Sequence, residues 1–191
     1  MILDSQLLFT GGTAYGAGTS AIGQALTTTA NSTNIIDLGP APTNTGLPPS
    51  QTTPSAQPFR DIGIGDDPAM KLLVVCLTTF TSGTNMSVSF QGSPDNGSGA
   101  PAGFVTYYTS PTYTVVSGSL NAGSRLLDMD VPRPPQGIAE PRFLQLAFTI
   151  SGTMATATIL AAIVIDRFDQ VYNGTNNAVS GGYPAGVVVA N

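Results

Sequence analysis

In several segments of this chain after Leu72 the apolar residues recur at every second position, and turn chemistry separates one strand-like run from the next. Met86, Val88 and Phe90 alternate with Ser87, Ser89 and Gln91, which is the pattern of a strand with one face buried and one face wet. Leu144, Leu146, Phe148 and Ile150 likewise share a face, opposite Phe143, Gln145, Ala147 and Thr149. A period of two cannot be satisfied by a helix, so these segments restrict the chain to sheet architectures.

The spacing predicts strands over Leu26–Leu38, Leu72–Phe80, Met86–Gln91, Phe104–Thr109, Thr112–Ser117, Arg125–Val131, Phe143–Ile150 and Thr153–Asp166. The run Leu72–Phe80 is apolar at nearly every position and fits a strand covered on both faces. Helix is the rival reading only for Ile159–Ile165, and the β-branched residues that follow Ser151-Gly152 favour strand there. The run Ser93-Pro94-Asp95-Asn96-Gly97 is a turn. About eight strands with no helix between them point to an all-β fold, an antiparallel sandwich or jelly roll of one domain over residues 26–171.

Three stretches read differently. Residues 1–25 are rich in Gly, Ala and Thr, with only Leu3, Leu7, Leu8 and Phe9 as anchors, and read as an extended N-terminal segment. Residues 39–58 contain six prolines and almost nothing to bury, which predicts an extended arm. Residues 172–191 are Gly- and Asn-rich and read as an extended tail. Ordering such segments costs about 1–2 kcal/mol per residue in backbone entropy, which contacts with neighbouring subunits would have to offset.

Charged residues make up only 9% of the 191, against about 25% in an average soluble domain. Ser, Thr, Asn and Gly take their place. Neutral hydroxyls and amides are far less costly to cover than charges, so this surface leans towards assembly. The net charge is −5, and the cations are scattered: Lys71, Arg60, Arg125, Arg133, Arg142 and Arg167. No cluster exists to neutralise phosphates or to hold an anionic bilayer, so nucleic acid and membrane are not expected partners. The apolar run Ile159–Ile165 is far short of a membrane span, and the N-terminus lacks a signal-peptide pattern.

Catalysis is not expected. The chain has no histidine, which removes any Ser-His-Asp arrangement and leaves the many serines without a base. Cys76, the one cysteine, sits in an apolar run and reads as a small core hydrophobe. The run Gly16-Ala17-Gly18-Thr19-Ser20-Ala21-Ile22-Gly23 matches no phosphate-loop spacing and has no lysine near it. Asp61, Asp66 and Asp67 cluster around two glycines, and Asp128 and Asp130 share a strand face. Oxygen-rich groups of this kind can hold calcium, but a turn and a solvated strand face are the simpler readings. Glu140 and ten aspartates offer glycosidase carboxylates without a tryptophan platform. The N-x-S/T triplets at Asn31, Asn85, Asn96 and Asn173 are expected by chance in such a composition. Catalytic, cofactor-binding and metal-binding residues are therefore all expected to be none.

Several segments taken together resemble a known family. Gln24-Ala25-Leu26-Thr27 leads to Ser32-Thr33-Asn34-Ile35-Ile36-Asp37-Leu38-Gly39, and Arg60-Asp61-Ile62-Gly63-Ile64-Gly65 precedes an apolar strand. Val131-Pro132, Pro141-Arg142-Phe143-Leu144-Gln145-Leu146, Ser151-Gly152, Val164-Ile165-Asp166 and Tyr183-Pro184-Ala185-Gly186 follow in order. This series is similar to the jelly-roll cement (decoration) proteins of tailed phages, of the Bordetella phage type. The arm at 40–58 and the stretch 173–182 are longer than the family pattern, and Phe143 stands where the family has tyrosine. The resemblance implies a jelly roll that associates with itself as a dimer or trimer and binds the major capsid protein on the outside of the virion head, after assembly in the host cytoplasm. It implies no catalytic residues. The alternative is a β-sandwich of a tail or fibre that recognises a receptor or glycan, for which Tyr107, Tyr108 and Tyr113 are the candidate aromatics.

Overall fold

A computed structural model describes residues 2–11, 23–38, 70–115, 120–138, 141–155 and 157–165. The proline-rich arm, the tail, most of the Gly16–Gly23 run, the aspartates 61, 66 and 67, and Asn173 lie outside the described residues.

Among the described residues the chain is all-β and antiparallel. Its strands are β1 (Ile2–Leu8), β2 (Gln24–Ala25), β3 (Ala30–Asn31), β4 (Ile36–Asp37), β5 (Met70–Cys76), β6 (Asn85–Ser93), β7 (Val105–Thr109), β8 (Tyr113–Thr114), β9 (Arg125–Asp130), β10 (Phe143–Ser151) and β11 (Thr158–Ile165). Sheet A runs β1-β11-β5-β9, with β2 continuing the β1 edge along β11. Sheet B runs β3-β10-β6-β7, with β4 and β8 continuing its two edges.

The eleven segments therefore fill eight strand positions, four in each sheet. Counted along the chain, the first position pairs with the eighth, the second with the seventh, the third with the sixth and the fourth with the fifth. A long hairpin wrapped in this way, its halves shared between two sheets, is a jelly roll. Each of the eight predicted segments overlaps at least one strand, in the order expected, while β1 and β2 are additional.

The long central strands match their sequence pattern. Met86, Val88 and Phe90 of β6 and Leu144, Leu146 and Phe148 of β10 are fully buried between the sheets. Leu72, Val74 and Cys76 of β5 and Ile159, Ala161 and Ile163 of β11 face them from sheet A. Phe9 meets Phe90 edge-on, with ring centroids 6.2 Å apart, and Phe80 and Phe148 complete the aromatic part of the core. Burying each such ring contributes about 1.5–3 kcal/mol.

The structure refines four expectations. Of the extended N-terminal segment, residues 2–8 and 24–25 form β1 and β2 at the edge of sheet A, and Phe9 is fully buried in the core. The single strand expected over Leu26–Leu38 is divided into β3 and β4. The reason lies in its hydroxyls: Thr29 Oγ1 accepts a hydrogen bond from Ile150 N at 2.9 Å, and Ser32 Oγ accepts one from Leu146 N at 3.1 Å. Side chains thereby take ladder positions that backbone carbonyls would otherwise hold. The last strand begins at Thr158 rather than Thr153, because Met154 turns into the core and Ser82 Oγ engages Thr153 O and Ala155 N. In β9 both Leu126 and Leu127 are buried, because the register with β5 shifts between Val74 and Val75.

The same hydroxyl substitution recurs at two other edges. Where β1 ends, Thr10 Oγ1 accepts from Ala161 N at 2.9 Å. Between β7 and β8, Ser110 Oγ accepts from Val88 N at 2.9 Å. Together with the register shifts in β1, β7 and β9, these rungs interrupt every edge of the sandwich among the described residues.

Candidate interaction surface

An edge broken in this way offers no long row of free backbone groups to a partner strand. The two outer faces of the sandwich differ.

Alternation decides what each face shows. The outward residues of β10 and β6 pair across the sheet as Gln145 with Gln91, Ala147 with Ser89 and Thr149 with Ser87. Beyond β6, Ser89 and Gln91 pair with Thr109 and Thr106 of β7. A chain of hydrogen bonds crosses three strands: Gln145 Nε2 donates to Gln91 Oε1 at 2.7 Å, and Gln91 Nε2 donates to Thr106 Oγ1 at 3.1 Å. Ser89 Oγ and Thr109 Oγ1 lie 3.0 Å apart in the next row. Among the described residues the middle of this face carries no charge.

Charge gathers at one end of it. The Arg142 guanidinium forks onto Asp37, with Nε 2.9 Å from Oδ1 and Nη2 3.1 Å from Oδ2. Its Nη1 donates to Asp95 Oδ2, and its plane stacks on the Phe143 ring. The other oxygen of Asp95 accepts from Gly97 N at 2.8 Å and Gly99 N at 2.9 Å, closing a turn in which both glycines have positive φ. Burial pushes the Asp95 carboxyl up, but those amides and the Arg142 guanidinium outweigh it and hold the group below its ordinary value of 3.8. Hydrogen bonds from Arg142 to Asp37, then to Asp95, hold the guanidinium charged. The clamp joins β4, β10 and the loop after β6. Leu38 N donates to Arg142 O at 2.7 Å, so the clamp grips the last described residue before the proline-rich arm.

Sequence reasoning assigned no role to this clamp. Asp37 and Asp95 lie 105 and 47 residues from Arg142, and no local spacing signals their meeting. The only pointer is Arg142 itself, one of six cations, placed immediately before an apolar strand.

The remaining candidates take structural places. Cys76 is fully buried, and burial pushes its thiol up to about 11, far from a nucleophile's range. Asp128 meets cations, accepting from Arg125 and lying 3.9 Å from Lys71. Tyr107, Tyr108 and Tyr113 are half-buried and pack against the core rather than standing on an open face. Tyr113 donates to Leu126 O, and the Tyr107 hydroxyl lies where a Cβ on Gly92 would be, 2.3 Å away. Burial pushes both phenols up.

The described residues thus define the class as an all-β jelly roll, with hydroxyls and amides across the middle of one outer face. Residues 20–164, well over half of the 191, match the model of the Bbp16 family. The chain belongs to this family, which bears the name of a Bordetella phage protein. No curated protein matches the chain.

Proposed function

We propose that this phage protein is a capsid cement protein. It binds the outer surface of the head, bridges neighbouring subunits of the major capsid protein and stabilises the shell, associating also with itself. In this reading it has no cofactor and performs no catalysis, and neither nucleic acid nor membrane is its partner.

The charge-free hydroxyl and amide face of sheet B carries the proposal. Covering such groups costs far less than covering ions, and each group can donate or accept to suit its partner. Contacts of this kind are individually weak, and a symmetric lattice multiplies them by avidity. In this reading residues 39–58, which follow Leu38 and the Arg142 clamp in sequence, and residues 172–191 are the further segments offered to neighbouring subunits.

Thr109→Glu combined with Thr149→Glu, both at exposed positions of that face, tests the reading. Added to heads lacking this protein, the double variant should keep its fold yet occupy the shell at least tenfold less than wild type. Unchanged occupancy would reject the face as the contact. A density map of the virion placing the protein only at the tail or a fibre would replace the cement role with receptor binding.

A further inference from the structure

Between β6 and β7 the chain makes a closed loop whose tip holds Asn96-Gly97, one of two Asn-Gly pairs in the sequence. Asn96 N donates to Ala100 O at 2.9 Å and Ala102 N to Pro94 O at 3.0 Å, while residues 96–99 are exposed. Glycine has no Cβ to screen its backbone nitrogen from the asparagine side chain before it. Two hydrogen bonds act on the two atoms that could react, in opposite senses. Ser98 N donates to Asn96 Oδ1 at 2.8 Å, which draws electrons from Cγ and makes it a better electrophile. Gly97 N donates to Asp95 Oδ1 at 2.8 Å, and an anionic acceptor opposes loss of that amide proton. The electrophile is primed and the nucleophile is held.

We infer that Asn96 is a site of spontaneous deamidation, and that the Arg142–Asp95 clamp restrains it. Hydroxide takes the Gly97 amide proton, and the freed nitrogen attacks Asn96 Cγ. The Cγ–Nδ2 bond then breaks, and the amine leaves as ammonia with a proton from water, which restores the hydroxide. Water adds across one bond of the resulting cyclic imide, opening it to an aspartyl or isoaspartyl residue at that position. Arg142 Nη1 holds the other oxygen of Asp95, so the guanidinium restrains the nucleophile at one remove. The product sets a new carboxylate beside Asp95, at the end of a face whose middle carries no charge among the described residues. The inference stands apart from the capsid reading, because it concerns the free protein.

Peptide mapping by mass spectrometry, on the full chain held at mildly alkaline pH, decides it. The second pair, Asn173-Gly174, is read in the same digest as a reference for the solution conditions. Asp95→Ala should deamidate at position 96 at least about tenfold faster than wild type, because a charge-assisted hydrogen bond on the nucleophile is gone. Arg142→Ala should fall between the two. Circular dichroism establishes that each variant is folded, and wild type in urea supplies a comparison that needs no variant. There too position 96 should react at least about tenfold faster than in the native protein, since unfolding breaks the same bond. Equal rates in wild type and folded Asp95→Ala, or in native and urea-unfolded wild type, would overturn the restraint. An amide at position 96 that survives in Asp95→Ala while Asn173 converts would overturn the site.

Discussion

The outer face of sheet A presents leucine, alanine and valine between β1, β11 and β5, while that of sheet B presents serine, threonine and glutamine between β10, β6 and β7. Both sheets share one core, and both follow the same alternation of inward and outward side chains. What differs is the outward half of the pattern. In β5 and β11 that half is apolar and buried, so sheet A is stabilised from both sides. In β6 and β10 it is neutral and mostly polar, with Ser93, Phe143 and Gln145 buried and the rest half-buried or exposed. A charge is therefore expected to be tolerated differently on the two faces.

A charge placed on each face is the most direct way to break this comparison. Leu73→Asp should destabilise the protein by roughly 3–5 kcal/mol in urea unfolding, as an uncompensated buried charge does. Ser89→Asp, on the opposite face, should stay within about 0.5 kcal/mol of wild type. Equal effects would mean that the two faces are not distinct.

A smaller difference separates hydroxyls within sheet B. Ser110→Ala strips the buried Val88 N–H of its acceptor and should cost about 1–3 kcal/mol. Ser89→Ala loses only an exposed contact with Thr109 and should cost a few tenths, about 0.2–0.5 kcal/mol.

Next comes the clamp at the end of the face. Arg142→Ala should cost about 1–2 kcal/mol, after allowance for solvent screening of its half-exposed carboxylate partners. Arg142→Lys should recover only part of this, because an ammonium cannot fork onto Asp37.

The smallest effect is a pH dependence. Asp95 has its carboxyl held below 3.8 in the fold, so its contribution is complete above that value and is lost as pH falls through the lowered value. Unfolding midpoints of wild type and Asp95→Asn should differ at pH 7 and converge as the pH falls below 3.8. Parallel curves would show that Asp95 does not titrate with the clamp.

The sequence made the centre of the molecule legible and its margins much less so. In β6 and β10 a buried residue alternates with a wet one, and the period alone discloses both the strand and its faces. The apolar run in β5 was correctly readable as a strand covered on both sides. Edge strands failed for a chemical reason: Thr29, Ser32 and Ser110 are good strand residues by composition, yet their hydroxyls enter the ladder and break it. Residues 1–25 read as an extended segment with Phe9 among its four possible anchors, and the sequence does not show that Phe90, far along the chain, is the ring it meets. The polar face of sheet B could be read as the wet half of the alternation. The clamp could not, because three charges from distant segments meet only once the sheets have formed.

The hydroxyl rungs at the margins also bear on behaviour in a crowd. A sandwich ending in open ladders would let each molecule template the next, and high local concentration would drive polymerisation. Here Thr10, Ser32 and Ser110 replace backbone carbonyls in the ladders that join the edge segments to β11, β10 and β6, and so divide the edges into short runs that template poorly.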